Sequence, residues 1–204
     1  MSMERNTRSA MTLKNYKIIL GSSSPARKEV LQKLGYTFEI MASDIDERAI
    51  RDSDPKKLTS KLANAKALAL LKKINFPALL ITADQVVNYN GVIREKPETP
   101  QEARDFLKSY EQFPAETINT VVVTDTTTGQ KIEASDSAKI YFKKIPDHTI
   151  EQLIDQGNVF RQAGGFSIWD PLVKPYIQKI EGEEESIMGL PAKIIKELLE
   201  QFNT

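Results

Sequence analysis

Cysteine is absent from the 204 residues, and histidine and tryptophan each occur once. Without cysteine there is no disulfide scaffold, no thiolate zinc site and no thiol nucleophile. The lone His148 makes a Ser-His-Asp triad or a multi-histidine metal site a poor fit. No apolar run approaches the ~20 residues of a membrane span. Excess charge is missing too. Lys+Arg and Asp+Glu both number 28, which gives nucleic acid no bulk attraction. A cytosolic enzyme is the expectation, with neither nucleic acid nor membrane as a partner. The length suits one well-buried core and is short for two.

Met1 to Lys14 is polar, with no hydrophobic stretch of the kind a signal peptide carries. It reads as a loose, disordered tail before a single domain over residues 15–204.

The most telling segment is a strand-to-helix switch. An apolar run from Tyr16 to Leu20 stops at Gly21, and Ser22, Ser23 and Ser24 precede Pro25. Proline fits the first turn of a helix, so the spacing predicts a helix over Pro25–Leu34 with Ser24 as its N-cap. Backbone N–H groups and hydroxyls then converge beside Arg27 and Lys28, which suits an anion such as phosphate. From this segment alone, an ordinary capped helix start is an equal reading.

Further strands are expected near Thr37–Met41 and over Ala78–Ala83, and a long helix over Pro55–Lys73. Asn90-Gly91 between two extended runs signals a hairpin. Thr99-Pro100-Gln101-Glu102 is a capping box opening another helix. Thr117–Thr124 and Lys131–Phe142 look like a long hairpin. Short helices are expected near His148–Gln156 and over Pro191–Phe202. The alternation implies one mixed α/β domain, with two lobes around a cleft.

Asp84 follows a buried apolar strand, the position where open α/β sheets bind ligands; a simple turn cap is the plainer reading. Lys66 lies on the edge of its helix's apolar stripe, so it either snorkels to water or enters a phosphate cleft. Lys96 precedes Pro97 on a loop. Asp44, Asp46 and Glu47 could hold a cation or be merely solvated, and Glu183-Glu184-Glu185 reads as a solvent-facing run. Trp169 is either core or a stacking face for a base.

Taken together, the motifs resemble the Maf (septum-formation-inhibitor-like) nucleotide pyrophosphatases, whose fold is related to that of the inosine triphosphate pyrophosphatases. They occur in family order: Gly21-Ser22-Ser23-Ser24-Pro25-Ala26-Arg27, Asp44-Ile45-Asp46-Glu47, Ala63-Asn64-Ala65-Lys66-Ala67, Ala83-Asp84-Gln85-Val86-Val87, Glu95-Lys96-Pro97, Ala163-Gly164-Gly165-Phe166 and Met188-Gly189-Leu190-Pro191. The likeness runs from about Lys17 to Phe202 and is closer to eukaryotic members.

The resemblance implies a twisted mixed sheet flanked by helices. It also implies hydrolysis of a nucleoside triphosphate between the α and β phosphates, with Mg²⁺ or Mn²⁺, in nucleotide-pool sanitation. Asp84 would accept the proton of the attacking water. Arg27, Lys66 and Lys96 would clamp phosphates, Glu47 and Asp84 would hold the metal, and Ser22, Ser23 and Ser24 would line the phosphate loop. A homodimer is expected by family analogy. Rival readings are another phosphohydrolase, or a nucleotide-binding regulatory protein linked to cell division.

Three family positions that tune base choice depart from the usual residues: Ala26 replaces arginine, Gln85 replaces threonine and Trp169 replaces glutamine. The usual histidine after the capping-box helix is also absent, with Glu116-Thr117 in that region. The resemblance thus implies retained activity with an altered preferred base.

Overall fold

The structure is a computed structural model that describes residues 16–202. The tail expected at Met1–Lys14 lies outside the described residues. Strand β1 (Lys17–Leu20) is built from Ile18, Ile19 and Leu20, all buried. It ends at Gly21, whose amide donates to Ile81 O at 2.7 Å. Only glycine fits there, since a Cβ would lie 2.6 Å from Thr82 and 2.7 Å from Leu70.

Helix α1 (Pro25–Lys33) leads to the short strand β2 (Phe38–Ile40), and α2 (Pro55–Leu71) leads to β3 (Ala78–Tyr89). Then come β4 (Val92–Arg94), α3 (Pro100–Ser109), β5 (Ala115–Asp125), β6 (Lys131–Phe142) and α4 (Asp147–Gln156). Strand β7 (Ile177–Glu181), α5 (Glu184–Ile187) and α6 (Ala192–Glu200) complete the order. Pro191, expected as the first residue of the last helix, is instead its N-cap.

Among the described residues seven strands form one mixed sheet in the order β2-β1-β3-β5-β6-β7, with β4 on β3. Strands β2, β1 and β3 run parallel and the remaining pairings are antiparallel. Helices α1 and α6 cover one face through Val30, Leu31, Ile195 and Leu198; α2 covers the other through Ala63, Ala67 and Leu70. A separate core gathers Leu107, Tyr110, Ile150, Leu153 and Phe166 around the far end of the sheet. Strand β3 belongs to both cores, Leu79 and Ile81 to one and Val87 and Tyr89 to the other. The mixed α/β architecture expected from the sequence, a sheet flanked by helices, is what the chain adopts.

One expectation needs correcting. Asp84 does not end a strand, because β3 continues unbroken to Tyr89. The apolar run stops at Ala83, but backbone pairing with β5 does not: Asp84 faces Thr120 and Gln85 faces Asn119. What ends is the neighbour on the other edge. Strand β1 pairs with β3 only to Ile81, and β4 takes over at Val87. The interval between them leaves one edge of β3 open at Asp84. The functional geometry expected of a strand end is produced by the end of the neighbouring strand.

Candidate active site

Successive residues of a strand point to opposite faces, and β3 uses this at the open interval. Asp84 projects toward α2, where Lys66 Nζ donates to its Oδ1 at 2.6 Å. Lys66 also pairs with Glu47 Oε1 at 2.9 Å. It is buried on the same stripe of α2 as Leu62, Ala63, Ala67 and Leu70, so it enters the interior instead of snorkelling. Glu47 opens a single helical turn (Glu47–Ala49) capped by Asp46, which accepts from Arg48 N at 3.0 Å. Asp46 thus has a local structural task, and Asp44 is exposed.

Arg27 reaches the same interval from α1. Its Nη1 donates to Ala83 O at 2.7 Å and its Nε to Gly189 O at 2.9 Å. Among the described residues its Nη2 has no hydrogen-bond partner. Lys96 is exposed, yet it lies near enough to join Lys66 and Arg27 in stabilising the Glu47 carboxylate. Arg27 and Lys66 therefore meet beside Asp84, with Glu47 sharing the Lys66 ammonium, on elements far apart in sequence.

This charge pattern treats the two acids differently. Burial raises the Asp84 carboxyl above its ordinary value, with Glu47 adding to the rise, against opposition from Lys66 and Arg27. Burial pushes Glu47 up as well, but Lys66, Lys96 and Arg27 outweigh it and hold Glu47 below the ordinary value. Asp84 thus binds a proton more readily than Glu47, a difference that suits a base beside an electrostatic or metal-holding group.

The serine loop keeps its own order. Ser24 caps α1 by accepting from Arg27 N at 3.4 Å, and Ser22 Oγ accepts from Ser24 N at 3.2 Å and from Arg27 Nη1 at 3.5 Å. Ser23 is exposed. Among the described residues the amides of Ser22 and Ser23 have no partner, leaving donors for an anion beside Arg27.

Gln85 takes the opposite face from Asp84. Its Nε2 donates to Ser186 O and Ile187 O, each at 3.0 Å. Trp169 is half-buried, and the Lys33 ammonium sits 4.5 Å from its ring centroid. Ala26 and Lys33 are seven positions apart on α1, about 10 Å along its axis. Ala26 thus sits at the start of α1 and Trp169 at its end, while Gln85 lies under the turn whose Gly189 carbonyl holds Arg27.

Two surface cavities of about 480 and 450 Å³ open elsewhere, at the α1–β2 edge and beside the start of α2. Neither is lined by Asp84, Lys66 or Arg27. Among the described residues no three His, Cys, Asp or Glu side chains gather as a metal cage. Glu47 and Asp84 share one ammonium and are hard oxygen donors. That donor set fits an ion such as Mg²⁺, which binds through one or two carboxylates together with substrate phosphates.

Residues 17–202 match the family described as Maf-like protein. The chain belongs to the Maf-like family. A 7-methyl-GTP pyrophosphatase of Dictyostelium discoideum is 48% identical over 193 residues, covering 91% of this chain and 97% of the relative. A dTTP/UTP pyrophosphatase of Alkaliphilus metalliredigens is 36% identical, covering 90% and 94%. A nucleoside triphosphate pyrophosphatase of Chlamydia pneumoniae is 31% identical, covering 91% and 94%.

Within this Maf-like chain, some contributors were not visible in the sequence. The Gly189 carbonyl orients Arg27, and Ser186, Asn119 and Asp136 hold the turn that presents it. The motif Met188-Gly189-Leu190-Pro191 marked the segment but gave no role. The acidic run before it is not wholly solvent-facing: Glu183 and Glu185 are half-buried, and Glu183 accepts from Lys193 N at 3.2 Å. His148 is exposed. At the absent histidine, Glu116 instead accepts from Asn88 at 2.9 Å. No described helix is long and apolar enough to cross a membrane.

Proposed function

We propose that this chain is a nucleoside triphosphate pyrophosphatase, hydrolysing NTP or dNTP to the monophosphate and pyrophosphate and clearing unwanted or modified nucleotides. The observation that carries this reading is the Lys66 ammonium shared by Asp84 and Glu47, with the Arg27 guanidinium anchored next to them, at the open edge of β3. The activities named for the relatives agree with it.

Asp84 takes a proton from water as the water oxygen bonds to the α-phosphorus. The bridging bond to the β-phosphate breaks, and its electron pair leaves with pyrophosphate. Arg27 offers Nη2, Lys66 its ammonium and Lys96 a solvent-side charge to the phosphate oxygens. Catalysis of this kind rests on positioning and on neutralising charge. The amides of Ser22 and Ser23 add donors at the start of α1. Glu47 and Asp84 would hold Mg²⁺ or Mn²⁺, which when bound withdraws charge from phosphate oxygens and acidifies water.

For the base, the Trp169 ring is a cation-binding face, held by the Lys33 ammonium in this structure and open to a base once that side chain swings away. An electron-rich indole face favours a cation, and a 7-methylated guanine is a positively charged base. The activity named for the Dictyostelium relative favours the same substrate. A dTTP or UTP preference, named for several bacterial relatives, is disfavoured by Ala26, Gln85 and Trp169 together. The same reading has the protein cytosolic and homodimeric.

The test is a product-resolved screen of 7-methyl-GTP, GTP, UTP and dTTP with Mg²⁺ and Mn²⁺ in parallel. The expected result is monophosphate plus pyrophosphate, fastest from 7-methyl-GTP. Inorganic phosphate without pyrophosphate would favour another phosphohydrolase. Tight binding with no turnover under either ion would favour a regulatory nucleotide-binding protein.

A further inference from the structure

Gln85, Asn119 and Asp136 form one cross-strand row over β3, β5 and β6. All three side chains bond to Ser186 of the short α5, and Gln85 also reaches Ile187 O. Gln85 Nε2 and Asn119 Nδ2 donate to Ser186 O at 3.0 and 2.9 Å, while the Ser186 hydroxyl donates to Asp136 Oδ2. Gly189 N closes a turn onto the same carbonyl at 3.1 Å. Gly189 O then accepts from Arg27 Nε.

The turn has little slack. Gly189 has φ +88°, and a Cβ there would stand 3.2 Å from Gln85 Oε1 and 3.3 Å from Arg27 Nε. Asn119 is fully buried, and its Oδ1 has no hydrogen-bond partner among the described residues. Such an orphaned acceptor is costly, so the amide is held there for what its other end does.

We infer that Asp136, acting through Ser186, is a positioning residue for Arg27: the row grips α5 and thereby fixes the carbonyl that aims the guanidinium at the substrate phosphates. Asp136 lies two strands from β3 and does not itself reach the charged site. Its effect passes entirely through Ser186, Gly189 and Arg27. The inference rests on the pyrophosphatase reading in taking Arg27 as a phosphate ligand.

The experiment is a double-mutant cycle of Asp136→Ala with Arg27→Ala. It reads pyrophosphate release from 7-methyl-GTP, the Kd for inorganic tripolyphosphate by calorimetry, and Tm. In the enzyme that keeps Arg27, Asp136→Ala should lower kcat/KM by about tenfold to a hundredfold, the scale of a small misplacement of a catalytic group. Asp136→Asn, which still accepts from Ser186, should recover most of that loss. In the Arg27→Ala background, Asp136→Ala should have no further effect.

Equal losses in both backgrounds would overturn the inference, as would a lower Tm with kcat/KM of the folded protein unchanged. Should Asp136→Ala not fold, Ser186→Ala removes the same hydroxyl, keeps the carbonyl and is read in the same way. If the wild type released no pyrophosphate from any nucleotide, the functional reading would fail while the tripolyphosphate cycle still decided the positioning role. Absence of both turnover and tripolyphosphate binding would overturn both.

Discussion

Lys66 Nζ and Asp84 Oδ1 are 2.6 Å apart, with only 9% and 8% of their side-chain surfaces exposed. The pair is not closed, because the same ammonium reaches Glu47 at 2.9 Å. An ammonium shared by two carboxylates lets either acid be replaced without stranding Lys66 as an unpaired buried charge, which is the expensive case.

A pH dependence of activity follows from the surroundings of Asp84. As a base it must be ionised, so kcat/KM falls as pH drops through its pKa, which burial holds above the ordinary carboxylate value. Glu47 raises that pKa and Lys66 lowers it. The acid limb should therefore move to lower pH in Glu47→Gln and to higher pH in Lys66→Met. Profiles of kcat/KM against pH for the variants decide this; shifts of the same sign would contradict the assignment.

Arg27→Lys keeps the charge and loses the fork. The guanidinium satisfies Ala83 O at 2.7 Å and Gly189 O at 2.9 Å, and one ammonium cannot reproduce that planar geometry. A stability loss of about 1–3 kcal/mol is expected, the range for leaving a buried acceptor unsatisfied. Chemical denaturation measures it, and an unchanged midpoint would argue that the two bonds are incidental.

Trp169→Ala should weaken 7-methyl-GTP relative to GTP, since the aromatic face favours the charged base by about 0.5–2 kcal/mol. Trp169→Phe should keep part of the preference. Competition kinetics with the two nucleotides read the ratio, and an unaltered ratio in Trp169→Ala would exclude this face as the base platform.

Local signals carried much of the architecture. Pro25 behind three serines, Asp54-Pro55 and Thr99-Pro100 each open a helix with a capping side chain, because cap chemistry is local. Lys66 was ambiguous for a physical reason: a lysine at the edge of an apolar stripe faces water or an acid depending on what packs opposite. Here Asp84 on β3 is opposite, a relation of tertiary origin. The mid-strand position of Asp84 was hidden because strand pairing continues where hydrophobicity stops. The grip on Arg27 was hidden more deeply. It depends on register, which puts Gln85, Asn119 and Asp136 in one row, and on a backbone carbonyl that has no side-chain signature.

Asp84→Asn is the most direct test of the central claim, that cations from separate elements hold a triphosphate against one ionised acid. Lys66 keeps its pair with Glu47 at 2.9 Å in this variant, so the fold should persist, as far-UV circular dichroism and Tm would register. Pyrophosphate release should fall by about 10²–10⁴-fold, the contribution of a positioned general base, with tripolyphosphate still bound. Pyrophosphate release at the wild-type rate from a folded Asp84→Asn protein would contradict the account.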